Sequence, residues 1–288
     1  EIWMRAGSPN RSRRPLLPLT NAQIAALKLL AASRDPESYV AGSTPLGRTQ
    51  IRYSGDIDIF HDREERVAQA AETDAATLAA HDYTIHWERR TPGVQTLVAS
   101  RDGESVQLEW VADNDFRFFP TIPDPLFGYI LHPVDLALNK TQAATNRREL
   151  RDIVDLVAIH DSILPLGAAT WAAVEKAPGY TPENMIAEIR RNSLYPAAEW
   201  RRLRTSQPLD PAIIMGKLRA ALDEAEAFVT RMPSDKAGLL FLDASGQVVQ
   251  PDPDRLSNYT THEGKRRGHW PTNPQIAAAM LERYGSRG

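Results

Sequence analysis

The chain has 288 residues, of which 42% are hydrophobic and 25% are charged, a composition typical of one large or two modest globular domains. The formal net charge is −3, so any surface for a polyanion has to be local. Cysteine is absent, which excludes disulfides, thiolate metal ligands and cysteine nucleophiles. No stretch approaches the ~20 apolar residues of a membrane span. We therefore expect a cytoplasmic protein with no membrane partner.

The first part of the chain alternates between helical and strand-like patterns. Residues 1–19 are expected to form a flexible arm. Thr20 and Asn21 can cap a helix, which should end near Ser33 because Asp35-Pro36 follows. An alanine-rich, charged segment predicts a second helix over 63–81. Apolar residues at alternate positions predict strands at 38–43, 49–60, 83–87, 95–99 and 105–111.

Beyond residue 125 the pattern becomes mainly helical. The preceding segment, 116–127, holds three prolines and is predicted to be a connection. A hairpin is expected within 238–249, and a last short helix over 273–284. The predicted helices are 133–144, 146–164, 168–176, 181–192, 196–203 and 211–230. The expected fold is therefore α/β (α+β): a small mixed β-sheet core with flanking helices in 20–125, followed by a mainly helical C-terminal domain in 126–288.

Two aspartates in the second predicted strand are the strongest chemical signal in the chain. Residues two apart in a strand point to one face, so Asp56 and Asp58 aim together while Ile57 and Ile59 point into the core. Neighbouring carboxylates repel each other unless a cation lies between them, and oxygen ligands suit Mg²⁺ or Mn²⁺. Such ions bridge nucleotide phosphates in group transfer. A bare Asp-x-Asp pair is common, and taken alone it is typical of a strand that presents acids to solvent.

A glycine–serine turn upstream of the pair and a charged string downstream add to this signal. Gly42 lets the backbone approach a phosphate, and the Ser43 hydroxyl can donate a hydrogen bond to it. Lys140 can neutralise triphosphate charge. Asp152 and Asp155 share one helix face, from which Asp155 could orient Lys140 or help activate an acceptor hydroxyl. The same charges could instead form a salt-bridge network between two helices.

These strings resemble the motifs of one enzyme family. Gly42-Ser43 followed by Asp56-Ile-Asp58 resembles the signature of the DNA polymerase β-like nucleotidyltransferases. The wider string 52–60 is similar to that of the AbiEii/AbiGii-type toxin nucleotidyltransferases, which are toxins of bacterial toxin–antitoxin systems. Lys140 followed by Arg-Asp-x-x-Asp-Leu at 151–156 resembles the second motif of that family.

The resemblance implies a metal-dependent enzyme that transfers a nucleoside monophosphate from an NTP to an acceptor hydroxyl. It implies that Asp56 and Asp58 hold Mg²⁺ or Mn²⁺, with Glu109 as a third acid from a later strand and Asp113 as the alternative. It also implies catalytic roles for Asp56, Asp58, Lys140 and Asp155. The residues implied in nucleotide binding are Gly42, Ser43, Arg52, Ser54, Lys140 and Asp152. The implied acceptor is RNA, such as a tRNA 3′ end, or a protein hydroxyl, and the implied role is a toxin held in check by a cognate antitoxin.

The glycine turn departs from the family pattern. Gly-Ser-Thr44-Pro45-Leu46 stands where the family often has Gly-Gly-Thr-Ala-Leu. Pro45 lacks a backbone N–H, so the helix that usually begins there should be shortened or delayed. The phosphate-binding geometry of this turn should differ accordingly.

Basic residues recur outside the two motifs, partly interleaved with aromatic ones. They are Arg11, Arg13 and Arg14 near the start, Arg190, Arg191, Arg201, Arg202 and Arg204 in the helical half, and Lys265, Arg266 and Arg267 beside Tyr259, His262, His269 and Trp270. Such groups could bind single-stranded RNA through phosphate contacts and stacking. They could equally form a solvated arm, an ordinary charged helix face and a flexible loop.

Two other functions are compatible with the same motifs. A small-molecule nucleotidyltransferase, such as one that modifies an aminoglycoside, would need an acidic acceptor pocket instead of a basic groove. A binding or regulatory protein that keeps the fold without turnover would bind no metal. The intact pair of Asp56 and Asp58 argues against the second of these.

Overall fold

A computed structural model of the chain describes residues 19–48, 52–114 and 116–266. Several sequence-based predictions lie outside these residues. They are the arm over 1–19 apart from Leu19, the first residues of the strand predicted at 49–60, the helix over 273–284, and the basic or aromatic residues Arg11, Arg13, Arg14, Arg267, His269 and Trp270.

The expected fold class, a mixed β-sheet with helices followed by a mainly helical part, is confirmed. The helices are α1 (Asn21–Leu30), α2 (Glu64–Ala79), α3 (Pro133–Asn146), α4 (Leu150–Ser162), α5 (Leu166–Ala173), α6 (Pro182–Asn192), α7 (Ala197–Arg202) and α8 (Pro211–Arg231). The strands are β1 (Ser38–Val40), β2 (Asp56–His61), β3 (Thr84–Thr91), β4 (Val94–Arg101), β5 (Glu104–Ala112), β6 (Phe116–Arg117), β7 (Ile122–Asp124), β8 (Gly128–Ile130), β9 (Leu240–Leu242), β10 (Val248–Val249), β11 (Thr260–His262) and β12 (Lys265–Arg266).

The main sheet of the described residues has seven strands in the order β3-β4-β5-β2-β1-β8-β7. β2 pairs with β5 and β1 pairs with β8 in parallel, whereas the other neighbours are antiparallel. The sheet is therefore mixed, with β2 at its centre. β7 and β8 form a hairpin around residue 125, so the sheet continues past the domain boundary predicted there.

α1 and α2 cover one face of this sheet. α1 begins where the sequence predicts, because Thr20 and Gln23 form a capping box: the Gln23 amide N–H donates to the Thr20 hydroxyl and the Thr20 N–H to the Gln23 side chain. Ile57 and Ile59 of β2 are buried beneath the two helices, as the strand alternation predicts. Burial of these branched apolar side chains fixes which face of β2 turns away from the helices.

The start of α3 is fastened to the segment that follows β5. Asp135 accepts the backbone N–H groups of Phe118 and Phe119 at 2.9 Å each, and Lys176 Nζ lies 3.6 Å away from the same carboxylate. His132 caps the helix through its Nδ1, which accepts the N–H of Val134. These contacts set the position of α3 relative to the sheet, and α3 carries Lys140.

Two segments differ from the sequence-based expectation. The predicted connection 116–127 contains β6 and β7, and the expected loop around Lys265 contains β12, which pairs with β6. β6 and β12 arise from pairing between residues that are far apart in the chain, whereas β7 forms a local hairpin with β8. The turn after Ser43 holds only a 3₁₀ helix over Pro45–Arg48, which agrees with the shortening expected from Pro45.

In the described part of the chain, no single helix is long and apolar enough to cross a membrane. α4 and the helical segment Leu166–Lys176 meet the length and composition limits only as a pair bent by 112°.

Candidate active site

A cavity of about 270 Å³ opens where the exposed face of β2 and β5 meets α3 and α4. Its lining residues are Gly42, Ser43, Arg52, Asp56, Asp58, Phe60, Glu109, Val111, Leu136, Asn139, Lys140, Ala143, Arg147 and Arg151. The cavity brings together most of the site residues predicted from the sequence. Three of the predicted residues, Ser54, Asp152 and Asp155, lie behind its wall instead of on it.

The acidic side of this cavity is built on the parallel pair of β2 and β5. Asp58 lies directly opposite Glu109 in the strand register, and Asp56 lies opposite Gln107. Ile57 and its neighbours alternate into the core, so the three carboxylates share one face of the sheet. Thr96 on β4 donates its hydroxyl to Glu109 Oε2 at 3.2 Å, which orients that carboxylate.

The alternative third acid, Asp113, lies elsewhere. It follows the end of β5 and accepts a hydrogen bond from the Tyr39 hydroxyl at 3.0 Å. Asp113 does not line the cavity, whereas Glu109 does. The geometry therefore favours Glu109 as the third carboxylate of the site.

Gly42 is required by its contact with Asp58. Its φ of 65° lies in the left-handed region, and a Cβ there would lie 1.8 Å from Asp58 Oδ2. The preceding residue, Ala41, donates its backbone N–H to the Asp58 carbonyl at 2.9 Å. Only glycine can follow this backbone path while the Asp58 side chain keeps its place.

A set of hydroxyl groups holds the glycine turn against the start of β2. Ser43 Oγ and Ser54 Oγ lie 2.9 Å apart. Ser54 Oγ donates to the Asp56 carbonyl at 2.8 Å, and Thr44 Oγ1 reaches the same carbonyl at 3.0 Å. Ser43 lines the cavity, while Ser54 fixes the turn from behind. Ser54 thus positions the predicted phosphate turn without facing a nucleotide itself.

The surroundings of Asp58 disfavour the charged form of its side chain. Burial, together with repulsion from Asp56 and Glu109, raises the pKa of Asp58 from 3.8 to about 7, although Lys140 and Arg151 oppose the rise. A divalent cation beside the carboxylates would offset the repulsion and favour the charged form of Asp58.

The donor set fits a hard cation that is held only partly by the protein. No group of three or more His, Asp or Glu side chains in the described residues is arranged to hold a metal ion by itself. Mg²⁺ commonly takes one or two carboxylates and completes its shell with water and substrate phosphates. Asp56 and Asp58 match that pattern, with Glu109 beside them.

The opposite side of the cavity is cationic and rests on two buried carboxylates. Arg52 donates to both oxygens of Asp155, at 2.5 and 2.6 Å. Lys140 Nζ lies 2.8 Å from Asp155 and 3.5 Å from Asp152. Arg147 donates to both oxygens of Asp152, at 2.7 and 3.1 Å. These bidentate pairs hold the cationic groups in fixed positions along the cavity.

Asp152 and Asp155 themselves have no exposed surface. Burial alone would raise the pKa of Asp155, but Lys140 and Arg52 hold it below its ordinary value of 3.8. Both residues therefore reach the cavity only through the cations that they hold. We propose that they are positioning residues, whereas Lys140 and Arg52, although largely buried, line the cavity themselves.

Sequence reasoning did not single out several of the lining residues. Arg147 ends α3 in an extended conformation and Arg151 lies in the first turn of α4, so both belong to the charged string that follows Lys140. Phe60 and Val111 stand two residues beyond Asp58 and Glu109 on their strands, so the same alternation places them on the cavity face. The charge string and the strand period were signals that could have identified all four.

Comparisons with known proteins yield structural likenesses only. No protein-family model matches the chain, and no curated protein matches its sequence. Among solved structures, the chain resembles a candidate nucleotidyltransferase from H. pylori, with a TM-score of 0.47 and 13% identity over 76% of this chain and 98% of that one. It also resembles MenT4, a nucleotidyltransferase toxin from Mycobacterium tuberculosis H37Rv, with a TM-score of 0.47 and 17% identity over 75% of this chain and 84% of that one.

A third likeness is to Cid1, which has RNA terminal uridylyl transferase activity. Its TM-score is 0.29, with 11% identity over 84% of this chain and 71% of that one. Identities and TM-scores this low assign no activity to the present chain. Its function has to be inferred from the residues of its own cavity.

Proposed function

We propose that this protein is a metal-dependent nucleotidyltransferase that moves a nucleoside monophosphate from an NTP to an acceptor hydroxyl. One observation carries the proposal: Asp56 and Asp58 project together into a cavity whose opposite wall presents Lys140, Arg147 and Arg151. Adjacent carboxylates favour the binding of a divalent cation, and a cationic wall favours the binding of an anionic ligand. A metal–triphosphate complex satisfies both sides at once.

The cavity residues have distinct roles in this reaction. Bound Mg²⁺ or Mn²⁺ would supply Lewis-acid stabilisation to the phosphates between the two sides. Asp56 and Asp58 would hold it, with Glu109 completing the carboxylate set. The acceptor oxygen bonds to the α-phosphorus, the bond from that phosphorus to the bridging oxygen breaks, and pyrophosphate leaves. The acceptor proton passes to a carboxylate or to water at the acidic side.

The cationic wall stabilises the leaving group. Lys140 faces the cavity as a compact charge and is held in place by Asp155. Charge accumulates on the departing pyrophosphate in the transition state, so fixed cations lower the barrier without reorganising. Gly42 and Ser43 form the turn that borders the phosphates on the side of β2.

We further propose that the acceptor is RNA, such as a tRNA 3′ end, and that the protein is a toxin with a cognate antitoxin. The support is the motif resemblance, which spans residues 38–160 of the chain. The positive charge on one wall of the cavity is a second argument for an RNA acceptor. A small-molecule enzyme that modifies an aminoglycoside would need acidic groups for a cationic acceptor, whereas Arg147 and Arg151 line this cavity.

The direct test supplies each labelled NTP with Mg²⁺ and total RNA to the wild type and to Asp58→Asn. Label should enter RNA with the wild type and be lost with the variant. Asp235→Asn, which changes an exposed carboxylate next to Lys236 outside the cavity, should behave as the wild type. Absence of label from RNA, protein and small molecules under every NTP would contradict the proposed activity. Label in protein or small molecules alone would contradict only the RNA acceptor.

A further inference from the structure

The arginines of the helical half divide into those with acidic partners and those without. Arg190 on α6 donates to Asp223 and Glu226 of α8, at 2.8 Å each. Arg191 pairs with Glu188 within the same helix. The charge of these arginines is therefore offset locally, and they provide little attraction for an external anion.

Arg201, Arg202 and Arg204 behave differently. All three are exposed, and no carboxylate of residues 19–48, 52–114 or 116–266 forms an ion pair with them. Leu203 between them packs against the helical core. Since the chain is extended at Leu203, the arginines on either side of it are directed to solvent. We call these three arginines the arginine edge.

The arginine edge is joined by backbone contacts to the wall of the cavity. Thr205 forms a β-bridge with Arg52, and the Tyr53 N–H donates to the Arg204 carbonyl at 3.0 Å. Arg52 lines the cavity and is clamped by Asp155. The segment that carries Arg204 is therefore paired through its backbone with a residue that lines the cavity.

Charge continues from the edge into the cavity. Arg52, Arg147 and Arg151 line its cationic wall, and only Arg147 and Arg52 are fully engaged with buried acids. Arg151 has its nearest carboxylate, that of Glu149, 3.9 Å away, and its Nε has no hydrogen-bond partner within the described residues. Positively charged side chains therefore lie both inside the cavity and on the segment that is paired with its wall.

We propose that the arginine edge binds the phosphodiester backbone of a single-stranded RNA acceptor and directs its end into the cavity. The inference rests on the proposed function and adds the surface that recognises the acceptor. A cavity of about 270 Å³ cannot admit a duplex, so the reacting end has to be unpaired. Arg201 and Arg202 end α7 and Arg204 follows the extended Leu203, and exposed arginines of this kind bind backbone phosphates without reading bases.

RNA binding without turnover tests this surface. Fluorescence anisotropy measures the affinity of the full chain for a labelled single strand of roughly 12 nucleotides at several salt concentrations. The variant Arg201→Ala/Arg202→Ala/Arg204→Ala should bind at least tenfold more weakly at low salt. The slope of log affinity against log salt should fall by about 2, since each lost phosphate contact contributes about 0.7. The matched control is Arg190→Ala/Arg191→Ala, which removes two paired arginines and should bind RNA much as the wild type does.

The outcomes separate this inference from the proposed function. Unchanged affinity and salt slope in the triple variant would overturn it, as would an equal loss in the control, or no RNA binding by the wild type. Nucleotide binding is followed in the same variants by the thermal shift that an NTP mixture with Mn²⁺ produces. That shift should persist in the triple variant, because its substitutions lie outside the cavity. If the wild type transfers label but binds RNA through other residues, the proposed function is supported and the role of the arginine edge is refuted.

Discussion

Gly42 and Asp58 are in such close contact that a Cβ on residue 42 would lie 1.8 Å from Asp58 Oδ2. The glycine turn and the carboxylate pair therefore form one structural unit, although fifteen residues lie between Gly42 and Asp58 in the sequence. Any side chain at position 42 has to displace the carboxylate that we assign to the metal. This relationship gives the first prediction.

Gly42→Ala should weaken both the fold and the metal site. The positive φ costs about 1–2 kcal/mol for a residue with a Cβ, and the contact forces Asp58 aside. We expect a lower melting temperature and at least a tenfold loss in Mn²⁺ affinity by calorimetry. Gly55→Ala is the control, because nothing lies within 4 Å of a Cβ at that position. Equal Mn²⁺ affinity in the two variants would show that Asp58 does not hold the metal.

Asp58→Asn should stabilise the metal-free protein while abolishing activity. In the folded protein the pKa of Asp58 is raised from 3.8 to about 7. The stability that the protonated Asp58 side chain contributes is therefore complete below pH 3.8 and is lost as the pH rises through about 7. The wild type should therefore lose stability relative to the variant over that window when measured by urea unfolding. Saturating Mg²⁺ should remove the difference. If the variant were less stable than the wild type at pH about 8 without metal, the charged Asp58 side chain would not destabilise the fold, and the prediction would be wrong.

The variants Lys140→Met and Asp155→Asn should distinguish a residue that acts on the substrate from one that holds other residues in place. Lys140 contacts the cavity, so its loss should reduce kcat/KM by about 100-fold or more with the fold retained. Asp155→Asn leaves Arg52 and Lys140 buried without their carboxylate, which should cost about 3–5 kcal/mol of unfolding free energy. Equal stability of the two variants would mean that Asp155 does not support the wall.

His132 should make the protein sensitive to acid. Burial lowers the pKa of His132 from 6.5 to about 4, an effect that Asp135 partly opposes. Between those values the unfolded chain binds a proton that the folded chain does not, so stability falls as the pH falls, by up to about 1.4 kcal/mol per unit. His132→Asn keeps an acceptor at the helix start and should flatten that dependence in urea titrations. An unchanged slope would show that His132 does not carry the effect.

Local periodicity made one part of the site predictable. A period of two places Asp56 and Asp58 on one face regardless of what surrounds them, and the capping pair at Thr20 and Gln23 marks the start of α1. Pro45 predicts the shortened turn because the missing N–H acts locally. Each of these features depends on residues within one turn or strand.

The remaining features depend on distant pairs. The partner of Asp155 is Arg52, 103 residues away, and the partner of β6 at Arg117 is Lys265. Such contacts follow from the path of the whole chain, which single-sequence patterns do not encode. For the same reason the sequence predicts Asp155 as a catalytic residue without showing its burial, and on the basis of that burial we propose that it supports Lys140.

The transfer of label from an NTP most directly tests the claim that Asp56 and Asp58 form a metal-dependent nucleotidyltransferase site. The wild type is incubated with Mg²⁺, total RNA and an NTP labelled at either the α- or the γ-phosphorus. We expect that α-label enters the acceptor, that γ-label leaves as pyrophosphate, and that Asp58→Asn or chelation of the metal stops both. Entry of γ-label into the acceptor, or α-transfer that persists in Asp58→Asn, would contradict it.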